Sequence, residues 1–510
     1  MNDFPWLTTL GAIPLVGSVV VVALPKGREL LAKQVALAVS ILALGVTLAM
    51  ALQFDPDAKE MFQFAQVHEW IPQFGVSYAV GVDGIALVLI ALATVLTPVC
   101  ILASWHDVDD STKSVKGYFA LLLLLETFMI GVFAATDVFL FYVLFEAMLI
   151  PMYFIIGAYG GTQRSYAAVK FLLYSLFGGL LMLAAVIGLY VVSPGGDHAF
   201  LFQNLLGIDI APNTEKLLFV GFFTAFAIKA PLWPVHTWLP DAAAEAPPGG
   251  AVLLVGVLDK VGTFGMLRFC LPLFPDASRW ATPVVITLCV IGIIYGALLA
   301  IGQTDLKRLI AYTSISHFGF IAMGIFAMTS QGQSGSTLYM VNHGFSTAAL
   351  FLIAGFLISR RGSRLIADYG GVQRVAPVLA GTFLVAGLSS LALPGLSSFV
   401  SEFLVLVGTF TRYQEAAIIA TAGIILASIY VLWMYQRMMT GEPNEGTAKL
   451  PDLSLRETWV VAPVLAIIIG LGVYPKVLLD VINPAVERTM IQVGQHDPTP
   501  VVPVEGAPAK

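Results

Sequence analysis

The sequence predicts an all-α polytopic membrane protein with about 14 transmembrane helices, built from two inverted five-helix repeats and two broken helices. Of its 510 residues, 58% are hydrophobic and only 11% are charged, which is more apolar surface than a soluble core can bury. The apolar residues fall into runs of spanning length, roughly 20 residues each. Two of these runs are interrupted by proline, as in many ion-handling transporters.

The first apolar run is too long, and too poorly followed by a small-residue cleavage site, to be a removed signal peptide, so we expect it to stay as an anchor. Most of the 26 lysines and arginines fall in the inside loops if the N-terminus is outside, which predicts both termini on the outer side. The predicted spans are 5–24, 35–54, 83–105, 117–135, 138–158, 166–192, 216–239, 249–271, 281–302, 308–329, 336–358, 377–410, 416–436 and 457–475.

Two segments outside the spans have a recognisable pattern. Residues 68–84 alternate enough to predict a short outer hairpin. Residues 477–493 form an amphipathic segment that we expect along the membrane surface, followed by a disordered, proline-rich end.

The most unusual stretch is KAPLWPVHTWLPDAAAEAP, from Lys229 to Pro247. Pro231 and Pro234 donate no amide hydrogen bond, so the carbonyls of Ala227 and Ala230 are expected to lack helical partners. In a membrane, free carbonyls and an ammonium group are tolerated only inside protein or beside trapped water. We therefore expect an ion-handling site at this break.

A second break, LPGLSSFVSEF at residues 393–403, follows five spans after the first. A unit of five spans reverses its orientation from one copy to the next, so the two breaks predict an inverted repeat. The predicted divisions are 1–115 for helices 1–3, 116–271 and 281–440 for the two repeats, and 457–510 for helix 14 with the amphipathic segment and tail.

Several ionisable residues are predicted deep in the membrane. Glu146 lies roughly 13 Å into its span, counted from Asp137 at about 1.5 Å per residue. A carboxylate there is costly unless it is paired or protonated, and Lys229 offers the opposite charge. Burial disfavours a charged lysine and a nearby carboxylate favours it, so the charge of Lys229 is switchable. Lys260 in the next span and Glu402 after the second break are further candidates for proton transfer.

Three histidines are candidates for passing protons onward. His236 follows Lys229 by two helical turns, on the same face if the helix resumes after Pro234. His317 and His343 lie on successive spans among hydroxyl residues that could organise water. For all three, a purely structural role stays open.

Weaker candidates are Glu126, Asp259 and Lys170. Asp259 points roughly 100° away from Lys260 on the same helix, and it either joins the relay or pairs locally. Lys170 can instead extend toward the membrane edge, because Arg164 marks that edge nearby. For Glu126, a structural role is the alternative.

The sequence argues against bound cofactors and metals. Its three cysteines, at 100, 270 and 289, are scattered singly with no CxxC spacing, which opposes iron–sulfur ligation and disulfides and predicts small core residues. There is no phosphate-binding loop and no strand, GxGxxG and helix unit. Nothing in the sequence indicates nucleic-acid binding.

Five motifs together resemble one family. FEAMLIPMYFIIG (145–157), the stretch at the first break, SISHFGF (314–320), NHGFSTAALF (342–351) and LPGLSSFVSEF are similar to the antiporter-like membrane subunits of respiratory complex I, and among these to subunit M. Subunit M is the bacterial counterpart of the mitochondrial fourth NADH dehydrogenase subunit. Glutamate at 402 fits subunit M, because subunits L and N and the sodium/proton antiporter subunits usually have lysine there.

The resemblance implies four proton-transferring residues on helices five, seven, eight and twelve: Glu146, Lys229, Lys260 and Glu402. It also implies that His317 and His343 are the family's histidines of helices ten and eleven. Asp259 is not part of the family's pattern, so the resemblance does not include its effect on the charge of Lys260.

The resemblance further implies a proton-translocating subunit of NADH:quinone oxidoreductase in the bacterial inner membrane. Such a subunit has no cofactor of its own, with FMN and iron–sulfur clusters in partner subunits. Its expected partners are other complex I subunits, including the sister antiporter-like subunits, and membrane lipid. Two alternatives stay open: a subunit of a multisubunit sodium/proton antiporter, and a scaffold whose polar residues only bind water and lipid.

Overall fold

The computed structural model describes residues 4–108 and 113–499. In chain order, its main elements are α1 (Trp6–Ala23), α2 (Glu29–Gln53), β1 (Gln63–Ile71), β2 (Val76–Val82), α3 (Gly84–His106), α4 (Val115–Ala134), α5 (Val138–Tyr159), α6 (Arg164–Val192), α7 (Pro212–Lys229), α8 (Trp238–Glu245), α9 (Pro248–Leu273), α10 (Pro275–Ile301), α11 (Leu306–Phe326), α12 (Ser330–Arg361), α13 (Pro377–Ser390), α14 (Ser397–Phe410), α15 (Gln414–Met439), α16 (Leu455–Val473) and α17 (Lys476–Val493).

Twelve helices of the described chain are long and apolar enough to cross a membrane. Two further spans are broken, α7 with α8 and α13 with α14, so the total agrees with the predicted 14. The second span differs in its start, because α2 begins at Glu29 rather than at 35. Lys33 does not interrupt this helix, since its Nζ donates to the Trp105 carbonyl at 2.6 Å.

Each repeat has the same cap at the start of its second span. At the start of α5, Asp137 accepts the amide N–H groups two and three residues later, and Asp305 does the same at α11. Each aspartate also bridges to the linker after the following helix, at Leu201 and at Leu365. Because five spans separate the two caps, they lie on opposite sides of the bundle, as an inverted repeat requires.

One side of the bundle, here called the hairpin side, carries β1, β2 and α17. The antiparallel pairing of β1 with β2 confirms the predicted hairpin, which begins earlier, at Gln63. The predicted amphipathic segment is helical, as α17, and a Cβ on Gly84 at the start of α3 would lie only 1.8 Å from the Val481 carbonyl oxygen. The proline-rich end from 500 to 510 lies outside the described residues.

The helix α9 forms the centre of the bundle and is buried along its whole length. The sequence predicts an ordinary membrane helix here. The structure instead has two π-helical segments, Leu254–Leu258 and Met266–Cys270, on either side of Lys260. Such wide turns are frequent at functional sites.

The cap of α5 offers a test of the fold. Asp137 is fully buried and accepts three backbone N–H groups at 2.9 Å, those of Ser77, Phe139 and Leu140. Asp137→Ala removes a helix cap, which costs about 1 kcal/mol, and leaves buried amides unpaired at about 1–3 kcal/mol. We predict a lower melting temperature for the purified protein, with the exposed Asp57→Ala as an unchanged control. Equal melting temperatures for the two variants would contradict this role.

Candidate functional site

The first break satisfies most of its backbone groups. The Ala227 carbonyl accepts the amide of Leu232 at 2.9 Å, and the Ile228 carbonyl accepts Nε1–H of Trp238, also at 2.9 Å. The expectation that the Ala227 carbonyl lacks a partner is therefore wrong. The chain leaves the helix in a wider turn, which brings a later amide to this carbonyl.

Lys229 ends α7, and its side chain is only 1% exposed. Its Nζ has no hydrogen-bond partner among the described residues and lies 4.8 Å from the ring centroid of Phe145 and 5.8 Å from that of Phe171. Glu146 interacts with Lys229 electrostatically, without a hydrogen bond between them. The two groups are thus coupled through their charges but are not in direct contact.

The carboxylate of Glu146 rests against α6. A Cβ built on Gly179 would lie 1.9 Å from Oε1 and 2.8 Å from Oε2, so only glycine leaves room for this carboxylate. The sequence analysis missed Gly179, because glycine is frequent in membrane helices and has no distinctive spacing here.

His236 lies in the break, not on the helical face of Lys229. The prediction of a shared face is wrong, because the residues after α7 form turns and the helix resumes only at Trp238. The His236 ring packs edge-on against Tyr295, with 5.1 Å between ring centroids. Its Nδ1 is buried without a hydrogen-bond partner in the part of the chain that the structure describes.

Lys260 and two predicted histidines come together from three helices. The Nζ of Lys260 lies 2.7 Å from Nδ1 of His343, and it donates to the Val255 carbonyl at 2.5 Å. The rings of His343 and His317 follow, with 5.3 Å between their centroids. The structure therefore joins α9, α12 and α11 at this point.

Tyr339 links these residues to Glu402. Its hydroxyl donates to Oε2 of Glu402 at 2.7 Å and lies 3.3 Å from Nδ1 of His317. We call Lys260, His343, His317, Tyr339 and Glu402 the central row, and all five are between 0% and 5% exposed. The sequence analysis missed Tyr339, although it lies one helical turn before His343 and hence on the same face.

The weaker candidates separate in the structure. Lys170 lies outside the central row, since its Nζ bonds Asp241 at 2.7 Å, and Arg308 pairs with the same carboxylate at 2.6 Å. Glu126 and Asp259 are fully buried on α4 and α9. No oxygen of either carboxylate has a hydrogen-bond partner within the described residues.

A polar cavity of about 630 Å³ lies on the side opposite the hairpin, where α8 ends and α9 and α11 begin. Its walls include Glu245, Lys307 and Arg364, and it extends to Asp107 beside α3. Burial raises the pKa of Asp107, whereas a hydrogen bond with Ser104 acts to lower it. The cavity is large enough to hold water next to the first break.

The chemistry of this site is that of proton transfer. Lysine, histidine, tyrosine and carboxyl side chains can each donate or accept a proton, and they lie one after another in space across the buried centre. The described residues contain no group of three His, Cys, Asp or Glu side chains that could hold a metal ion. The three cysteines are free and buried, which confirms their predicted place in the core.

Known proteins match this chain over nearly its whole length. The family model described as "NADH:quinone oxidoreductase/Mrp antiporter, TM" matches residues 135–428, and that of "NADH-ubiquinone oxidoreductase chain 4, amino terminus" matches residues 58–132. NADH-quinone oxidoreductase subunit M of Mycobacterium tuberculosis is 56% identical, over 98% of this chain and 97% of its own. This chain belongs to the NADH-quinone oxidoreductase subunit M family.

Solved structures agree with membership in the subunit M family. A chain of respiratory complex I from Thermus thermophilus with bound NADH is 31% identical, with a TM-score of 0.87 over 96% of this chain and 100% of that one. A chain of the Mrp complex from Dietzia sp. DQ12-45-1b is 22% identical, with a TM-score of 0.84 over 96% and 98%. At that identity, the Mrp likeness shows only a shared fold.

The hydroxyl of Tyr339 is a specific test of the central row. Tyr339→Phe keeps the ring but removes the group between His317 and Glu402, and loss of a positioned proton-transfer group slows a step by about a hundredfold or more. We predict fewer protons pumped per NADH by the complete complex in proteoliposomes. Tyr435→Phe is the matched control, because the Tyr435 ring packs against Phe383, outside the row. Equal yields for the two variants would remove Tyr339 from the row.

Proposed function

We propose that this chain moves protons across the bacterial inner membrane as subunit M of NADH:quinone oxidoreductase, through Lys229 and the central row. The observation that carries the proposal is the close succession of proton-transferring side chains from Lys260 to Glu402, in which hydrogen-bond distances link all neighbours except the two histidine rings, whose centroids are 5.3 Å apart. The chain performs no redox chemistry. FMN and iron–sulfur clusters reside in partner subunits, whose reaction supplies the energy.

The pair of Glu146 and Lys229 acts as the switch. At an effective dielectric constant of about 20, opposite charges attract by about 4 kcal/mol at 4 Å and about 2 kcal/mol at 8 Å. A shift of a few ångströms in the Glu146 carboxylate therefore changes the proton affinity of Lys229 by about 2 kcal/mol. Moving one proton against 100 mV requires about 2.3 kcal/mol, so a displacement of this size supplies most of that energy.

The central row completes the path. Lys260 releases a proton to His343, and His317 and Tyr339 carry it to Glu402. Tyr339 suits this place because its hydroxyl donates to Glu402 while it can accept from His317. Glu402 then releases the proton on the hairpin side, which we assign to the outside of the membrane.

The orientation of the chain in the membrane follows from assigning the hairpin side to the outside. The start of α1 lies on the hairpin side, where Thr8 hydrogen-bonds Tyr78 of β2 at 2.9 Å, and α17 lies on that side too. With this assignment, α1 begins and α17 lies on the outer side, and the polar cavity opens inside, where protons enter. The sister antiporter-like subunits and membrane lipid cover the exposed apolar flanks of the bundle.

A subunit of a sodium/proton antiporter is the alternative function. The shared fold with the Mrp chain favours it, while Glu402 opposes it. Copurifying chains distinguish the two, because partners with NADH-binding and iron–sulfur motifs belong to complex I. A mere scaffold, the other alternative, requires that substitutions in the switch leave pumping unchanged.

The switch can be tested in two ways. Lys229→Ala removes the ammonium, and Gly179→Ala displaces the Glu146 carboxylate without removing its charge. We predict that both variants assemble and pump fewer protons per NADH, whereas Lys170→Ala, whose lysine pairs with Asp241 outside the row, pumps normally. A normal proton-to-electron ratio in a fully assembled Lys229→Ala complex would refute the proposed switch.

Glu402 must take up and release a proton in this account. Glu402→Gln keeps the volume and still accepts a hydrogen bond from Tyr339, but it cannot titrate. We predict that Glu402→Gln pumps poorly and that Glu402→Asp retains part of the activity, both measured as initial pumping rates after NADH addition. Pumping by Glu402→Gln at the unmodified stoichiometry would place the exit elsewhere.

A further inference from the structure

The proposed path has a gap between the switch and the central row. Lys229 Nζ has no hydrogen-bond partner in the described chain, and Lys260 Nζ bonds away from it, toward His343. Lysine amines do not exchange protons without a contact or a carrier between them. Some group must therefore lie between the two lysines if protons pass from one to the other.

We infer that Asp259 carries the proton from Lys229 to Lys260, an inference that rests on the function proposed above. Asp259 is fully buried, and both of its carboxylate oxygens lack a hydrogen-bond partner in the described chain. It interacts electrostatically with both lysines. A buried carboxylate left without hydrogen bonds costs several kcal/mol, so its presence here calls for a functional reason.

The packing of α9 directs Asp259 toward Lys229. A Cβ on Gly262 would lie 2.4 Å from the Phe226 carbonyl oxygen and 2.7 Å from the Ala230 amide nitrogen, so this face of α9 touches the end of α7. Asp259 lies three residues before Gly262 and shares its face. The two helices thus bring Asp259 to the end of α7, where Lys229 is the last residue.

Lys260 points to the other side. Consecutive helical residues differ by about 100° in direction, and Lys260 reaches His343 on α12. Asp259 and Lys260 therefore face α7 and α12 from adjacent positions on one helix. Together they join the first repeat to the second.

The transfer balances without any further reactant. The ammonium of Lys229 gives its proton to the Asp259 carboxylate, which leaves a neutral amine and a neutral acid. The acid then gives the proton to the neutral amine of Lys260, which restores the carboxylate and forms an ammonium beside it. In each state the ammonium has the Asp259 carboxylate as a negative neighbour, or Asp259 and both lysines are neutral, so the transfer leaves no ammonium unpaired in the low-dielectric interior.

Three substitutions at Asp259 test this role. Asp259→Asn keeps the shape but cannot carry the proton, Asp259→Leu removes the polar group as well, and Asp259→Glu restores a carboxyl group. The control is Thr263→Val, a buried polar side chain one turn along α9 that hydrogen-bonds Met340 and the Lys260 carbonyl. The measurement is protons pumped per NADH by the complete complex in proteoliposomes, with assembly checked by subunit content.

We expect Asp259→Asn and Asp259→Leu to lower the protons pumped per NADH by the share that this subunit contributes, because a relay without one member slows by about a hundredfold while the sister subunits continue. Asp259→Glu should recover part of this yield, and Thr263→Val should match the unmodified protein. If Asp259→Asn prevents assembly, the test rests on Asp259→Leu alone, since leucine has no side-chain amide that needs a hydrogen bond.

Two results would overturn the inference. The first is normal pumping by Asp259→Asn or Asp259→Leu while Lys229→Ala is impaired, which would remove Asp259 and leave the proposed function intact. The second is an equal loss in all three Asp259 variants, including Glu, which would indicate a packing role. Normal pumping by Lys229→Ala as well would mean that the proposed function itself has failed.

Discussion

The cost of charge in a low-dielectric interior governs this structure. Lys229, Asp259 and Glu126 are buried, and their charged groups have no hydrogen-bond partner among the described residues. Such groups are expensive unless they neutralise one another or change protonation state. Elsewhere in the chain, charges are bonded directly, as in the pair of Arg360 with Glu457 at 2.6 Å. The contrast separates charges that hold helices together from charges whose protonation can change.

The broken helices make these buried groups possible. A continuous helix would satisfy its own carbonyls and leave little reason for polar side chains nearby. At the first break, the amide of Leu232 and the indole of Trp238 donate to the carbonyls of Ala227 and Ile228, while Lys229 Nζ has no hydrogen-bond partner in the part of the chain that the structure describes. The rigid aspartate caps on opposite sides fix the ends of α5 and α11, which leaves side-chain protonation and small displacements as the ways in which the centre can respond.

The spans were predicted from hydropathy, both breaks from proline and the hairpin from alternating residues, because each of these signals lies along one segment. None of these signals predicts which side chains meet. Tyr339 was missed because a tyrosine in a membrane helix gives no functional signal without its contact on another helix. Gly179 was missed because it acts through the absence of a side chain. The prediction that His236 shares a helical face with Lys229 failed, because the length of the turn after Lys229 depends on tertiary hydrogen bonds.

The π-helical segment just before Asp259 sets the direction in which two neighbouring side chains point. Each π-turn holds one residue more than an α-turn, and one residue corresponds to about 100° of rotation. A chain with one residue fewer between Leu254 and Leu258 would close this bulge into a regular helix and turn the residues on one side of it relative to those on the other. Homologues with a different number of residues at this point would then present another residue to α12. Which side chain carries the proton at the centre therefore depends on the rotation of the helix as well as on the type of amino acid.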